Sequence, residues 1–280
     1  MATEPFVRLP TALQVFAASS ATQSQAHIKP LHLHMAQRLV IEGGFRPELV
    51  SPRPALRIDT TGSRHRAGKF LVFDDSVANE SERIILGGLK TKQVDVVVDI
   101  PGVGPAIAIS VKGTLNAFRN LTNRMEEAVG DCTNLHLIYP GLVYGFLHVL
   151  RANKEHEVTS RNDIALLSGG VVAEGIVRYH DILLRLTGRS NVRDEASLYE
   201  AVSMGLVDMT PAGTTMMTAY PPTESPLHYD RFFSALLSAY DQRFVYAAPA
   251  LAVRTSRVEW DADSPVIKVA QDAGFVPRTA

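Results

Sequence analysis

Three observations predict an α/β (α+β) fold with one mixed central β-sheet flanked by helices. Segments with apolar residues three and four apart alternate along the chain with short runs rich in Val and Ile, so helices and strands are interleaved. Two such runs, residues 94–100 and 106–112, are separated only by Pro101-Gly102-Val103-Gly104-Pro105, which is turn chemistry. The hairpin they predict leads directly into a helical period over residues 115–131 and then into an apolar run over residues 142–150.

The elements follow in order. Residues 1–25 carry neither the basic start nor the continuous apolar stretch of a secretory leader, and read as a poorly ordered lead-in to the folded domain. Residues 26–42 have helical spacing, with Leu31, Met35, Leu39 and Val40 along one side, and Gly43-Gly44 stops them. Residues 46–69 are punctuated by Pro47, Pro52 and Pro54 and charged by Arg46, Arg53, Arg57, Arg64, His65, Arg66 and Lys69. An extended loop of this composition suits either a phosphate backbone or a solvated surface. A short strand is expected at residues 69–73, and a helix end or a strand at 81–89. After the hairpin, the helix over 115–131 places Leu115, Phe118, Leu121, Met125 and Val129 on one side. A buried strand follows at 142–150, a helix at 168–186, a strand within 198–209 and an amphipathic helix at 228–246. The reading is of one domain spanning residues 1–280, with a core at about 26–151 and a C-terminal elaboration at about 162–280.

Composition narrows the class. At 280 residues and 46% hydrophobic content the chain can bury a sizeable core. A net charge of -1 gives no global signature of a nucleic-acid binder, so any such surface must come from a local basic face. The single cysteine, Cys132, rules out an intramolecular disulfide and a cysteine-built zinc site, as suits a reducing cytoplasm. No apolar run approaches the roughly 18 residues that span a bilayer, so no membrane association is expected.

The chemistry concentrates on the hairpin. Ser110 and Lys112 are two apart on a strand and point the same way, and Asp95 on the partner strand is placed to join them. Asp99 is the alternative acid, but it lies nearer the turn and further from Lys112. A carboxylate pair that holds Mg²⁺ beside a lysine is what phosphodiester hydrolysis needs: charge neutralisation on the phosphoryl oxygens and an oriented water.

This stretch resembles the PD-(D/E)XK nuclease superfamily, whose core places an aspartate on one strand and a (D/E)-x-K triplet on the next. Asp95 matches the first position and Lys112 the lysine, while Ser110 stands where the triplet acid belongs. In that substitution the chain resembles a branch of type II restriction endonucleases that cut around CCGG cores. They carry S-x-K and take the missing acid from the next helix, fourteen residues after the lysine. Position 126 here is glutamate. The resemblance covers residues 94–127, and the branch's base-reading triplet is not reproduced in Asn116-Ala117-Phe118-Arg119-Asn120.

The resemblance implies a restriction-endonuclease-like core and a Mg²⁺-dependent endodeoxyribonuclease acting on double-stranded DNA as a homodimer. Asp95 and Glu126 would hold the metal, Lys112 would orient or activate water, and Ser110 would tune the site. An upstream acid on a helix before the sheet is also common in the superfamily, and Glu42 fits that place, with Glu82 as its rival. DNA contacts are expected from Arg64 and Arg66 in the basic loop and from Arg119 and Arg124 on the helix. Two alternatives stand beside this one: a catalytically inactive DNA-binding or assembly subunit, and a phage-defence effector nuclease of relaxed specificity.

Two other motifs have simpler readings. Ile100-Pro101-Gly102-Val103-Gly104-Pro105 resembles a helix-hairpin-helix signature, but β-branched residues on both sides favour strands. His32-Leu33-His34 falls in a helix, where residues i and i+2 do not share a face, so the two histidines are not expected to bind one metal.

Overall fold

The computed structural model describes residues 5–20, 26–61, 68–116 and 118–279. Its centre is a six-stranded mixed sheet in the order β1-β6-β7-β8-β9-β10. The strands are β1 (Val50–Ser51), β6 (Val96–Ile100), β7 (Gly104–Thr114), β8 (Val143–Arg151), β9 (Ala201–Thr210) and β10 (Gly213–Met216). Two short ribbons lie outside it, β2 (Leu56–Ile58) with β3 (Leu71–Phe73), and β4 (Arg83–Ile85) with β5 (Lys92–Val94). β6 and β7 pair antiparallel, β7, β8 and β9 run parallel, and the edge pairs β1/β6 and β9/β10 are antiparallel.

Strand alternation splits the apolar residues between two cores. Val96, Val98, Ile107, Ile109, Val111, Leu147 and Val149 face the first, and Val97, Ala108, Tyr144, Phe146 and Leu150 face the second, as a period of two requires. The first core is closed by α1 (Leu9–Ala18), α2 (Lys29–Ile41), α5 (Tyr229–Tyr240) and α7 (Pro265–Asp272), and the second by α3 (Leu121–His136) and α4 (Glu174–Leu184). A further single turn, α6, spans Ala252–Thr255. Both faces of β8 are thus buried, which explains why its sequence is largely apolar instead of alternating.

The hairpin, the following helix and the buried strand stand where periodicity placed them, with shifted boundaries. The helix begins at Leu121, because Phe118–Asn120 forms a separate 3-10 turn. The 168–186 segment is helical only from Glu174 to Leu184, since Gly169 and Gly170 take positive φ and break the pattern. Within residues 81–89 only Arg83–Ile85 is a strand, β4. The N-terminal segment departs from expectation. Its residues 9–18 form α1, which buries Leu13 and Phe16 and packs so closely on β7 that a Cβ at Gly113 would lie 2.5 Å from the Phe16 ring. No helix among the described residues is long and apolar enough to cross a membrane.

Candidate active site

The site forms where the chain passes from the small β4/β5 ribbon into the main sheet. β5 ends at Val94 and β6 starts at Val96, so Asp95 occupies the bend between them. The hairpin register continues past Val96↔Ile109 and brings Asp95 beside residues 110 and 111. Its buried Oδ2 accepts the Val111 backbone N–H at 2.7 Å and the Ser110 hydroxyl at 3.3 Å. The Lys112 ammonium lies 3.7 Å from the same oxygen. Three residues of β7 therefore fix one carboxylate, and Ser110 acts by holding Asp95.

Two further side chains complete the cluster. His32 on α2 and Glu82, just before β4, each offer a ligand atom, and with one from Asp95 these lie within 4.8 Å of one another. His32 Nδ1 meets Glu82 Oε1 at 3.2 Å, and the Gln93 amide donates to Glu82 Oε2 at 2.7 Å. Burial lowers the His32 pKa most strongly, opposed by the negative charges of Asp95 and Glu82 and aided by Lys112, so the net direction is down. His32 and Glu82 also line an open cleft with Lys29, Pro30, Pro52 and Glu80, which gives the cluster a route to solvent.

A second pocket adjoins Lys112 from the side of α3. Ser110, Lys112, Arg124, Glu127, Asp131 and His148 line it. His148 follows Lys112 across the parallel β7/β8 register and bonds Thr114 Oγ1 at 3.0 Å. Burial, then Arg124 and Lys112, lower its pKa to about 3, so its ring is neutral.

The structure brings together Asp95, Ser110 and Lys112, and does not bring Glu126 to them. α3 buries Leu121, Met125, Ala128 and Cys132 and turns Arg124, Glu127 and Asp131 toward Lys112. Glu126 is exposed, and at 100° per residue it lies about 200° round the axis from Arg124. Position 126 thus falls on α3 but on the side away from Arg124, Glu127 and Asp131. Glu42 is also elsewhere. It caps the far end of α2, about 15 Å of helix rise from His32, and accepts Arg38 at 2.7 and 2.9 Å. Of the two upstream acids, Glu82 is the one beside Asp95. Asp99 pairs with Arg83 and is not in the cluster.

The expected DNA contacts are partly outside view. Arg64 and Arg66 lie outside the described residues. Of Arg119 only the backbone is described, in the turn Phe118–Asn120. Arg124 lines the pocket beside Lys112.

His32 is the residue the sequence reading passed over. His34 does diverge from it, bonding the Val7 carbonyl at 2.8 Å, as the i, i+2 argument requires. That argument concerned a histidine pair, however, and His32 finds its partners across α2, on Glu82 and Asp95. No local signal links these three positions, 32, 82 and 95.

No family model, curated protein or solved structure matches the chain. The functional reading rests on the geometry.

Proposed function

We propose that the protein is a divalent-metal-dependent endodeoxyribonuclease that hydrolyses phosphodiester bonds of double-stranded DNA, with a PD-(D/E)XK-like layout. The observation that carries the reading is the meeting of Asp95, in the bend before β6, and Lys112 on β7 with Glu82 and His32 in one buried cluster that opens to a cleft. Asp95, Glu82 and His32 present one nitrogen and two carboxylate donors, a set that fits a divalent ion. The resemblance implies Mg²⁺. When bound, such an ion supplies charge neutralisation at the phosphoryl oxygens.

The remaining roles belong to the chain. Ser110 and the Val111 amide hold the Asp95 carboxylate in one orientation. Lys112, half in solvent and at the rim between cluster and pocket, orients or activates the attacking water. Arg124, partly buried beside Lys112, contributes positive charge toward the phosphate. A homodimer would set two such sites on the two strands of a duplex.

The test is incubation of supercoiled plasmid with the protein and Mg²⁺ or Mn²⁺. Nicked and linear products are expected with metal and none with chelator. Lys112→Ala, checked for folding, is expected to lower the rate about 100-fold or more. DNA binding without cleavage under either metal would replace this reading with the non-catalytic subunit, which Ser110 at the acid position also fits. Smeared products in place of discrete bands would indicate relaxed specificity.

A further inference from the structure

We infer that His32 is a direct metal ligand through Nε2 and that the site therefore selects a first-row transition dication, such as Mn²⁺ or Zn²⁺, over Mg²⁺. The inference rests on the reading of the cluster as the metal centre and specifies its ion.

A carboxylate only accepts hydrogen bonds. The 3.2 Å contact between His32 Nδ1 and Glu82 Oε1 therefore places a proton on Nδ1. In the neutral ring the unshared pair is then on Nε2. That nitrogen is buried and has no hydrogen-bond partner among the described residues, in a side chain that is 3% exposed. A buried polar atom without a partner calls for an explanation, and a bound ion is one of the few available. Here two carboxylates stand within 4.8 Å of the imidazole.

The orienting contact has the same sense. Metal-binding histidines hand their other N–H to a carboxylate, which fixes the tautomer and the ring orientation. Glu82 does this for His32, and is itself held by the Gln93 amide at 2.7 Å. Glu82 Oε1 is then a positioning group for the imidazole, while Asp95 faces the same cluster.

Donor chemistry sets the selectivity. Mg²⁺ is small, sheds water reluctantly and takes oxygen ligands at near-ideal octahedral geometry. Imidazole nitrogen adds affinity for transition ions, following the ordinary order of first-row dications, and adds little for Mg²⁺. A site that pairs the His32 nitrogen with the Asp95 carboxylate, with Glu82 Oε1 engaged by Nδ1–H, is thus biased before any cellular supply is considered.

Isothermal titration of the full chain with MnCl2, ZnCl2 and MgCl2 tests this without reference to activity. Wild type is expected to bind Mn²⁺ and Zn²⁺ at least about tenfold more tightly than Mg²⁺. His32→Gln, which keeps the volume and offers oxygen, is expected to close most of that gap. Electron spin-echo spectroscopy of the Mn²⁺-loaded wild type is expected to show coupling to an imidazole nitrogen, and needs no variant to fold. Equal affinities for the three ions, an unchanged preference in His32→Gln, or no nitrogen coupling would each overturn the inference. Selective binding through nitrogen without DNA cleavage would instead overturn the nuclease reading and leave the metal assignment standing. Cleavage supported by Mg²⁺, with no preference for Mn²⁺ or Zn²⁺ in titration, would do the reverse.

Discussion

Asp95 is held by a bend, not by a strand. At that kink its carboxylate meets the Val111 N–H, the Ser110 hydroxyl and the Lys112 ammonium at once. A strand residue within regular pairing would spend its neighbours on the ladder and direct its side chain strictly to one face. The break between β5 and β6 lets the side chain lie along the sheet edge toward α2 and Glu82. This placement separates the two acids that compete for the second ligand role. Glu82→Ala is expected to reduce metal-dependent cleavage about 100-fold or more, as loss of a charged group at the reacting centre does, whereas Glu126→Ala should leave the rate within about threefold because an exposed helix residue there touches nothing in the cluster. Parallel plasmid assays under one metal concentration decide it. Full activity in Glu82→Ala together with loss in Glu126→Ala would return the second acid to α3.

At the scale of elements, the site depends on how closely helices approach the sheet. α5 lies across β8 at Gly145, where a Cβ would stand 2.8 Å from the Phe232 ring and 3.0 Å from Leu236. Both partners are fully buried, so neither side chain has room to withdraw. Gly145→Val is therefore expected to destabilise the fold by about 1–3 kcal/mol through overpacking, read as a lower urea midpoint with an unchanged slope. α2 makes the corresponding approach on the same face of the sheet, against β1 and β6, and that packing delivers His32. The helix that carries Glu126 was legible as a helix from its spacing. Its rotation was not, because Arg124, Glu127 and Asp131 are polar and the periodicity of Leu121, Met125 and Ala128 leaves either flank free to face β7.

Across the whole molecule, buried ionic and titratable groups tie the sheet to its surroundings. Glu200 accepts Arg189 at 2.6 Å and Arg243 at 2.7 Å on one oxygen and the Tyr144 N–H at 2.7 Å on the other. Burial works against its charge, but His136, Arg243 and the Tyr144 amide outweigh it and hold its carboxyl below the usual range. Glu200→Gln strands two buried guanidinium groups and is expected to cost about 3–5 kcal/mol, measurable by denaturant titration. His148 governs the acid side of the stability profile. Its folded pKa of about 3 lies below the unfolded 6.5, so the unfolded chain takes up the proton first as pH falls. The stabilisation is full above pH 6.5 and is lost progressively toward pH 3. At pH 5 the loss is on the order of 2 kcal/mol, and His148→Gln should flatten that slope. An unchanged slope in the variant would assign the acid sensitivity to other groups.

What the sequence determined by itself is the local chemistry. The turn residues 101–105 and the β-branched runs beside them specify a hairpin, and its pairing brings Asp95 near Ser110 and Lys112, with a one-residue register shift at Val98/Asp99 on the way. The interleaved periods likewise determine a mixed sheet covered by helices on both faces. Only the tertiary structure decided which distant side chains join that pair. His32 and Glu82 are 63 and 13 residues from Asp95, and their meeting depends on the docking of α2 and the path of the β4/β5 ribbon. Register propagates through neighbouring hydrogen bonds and leaves a trace in adjacent residues, whereas packing between separate elements is set by the sum of their buried surfaces and leaves none.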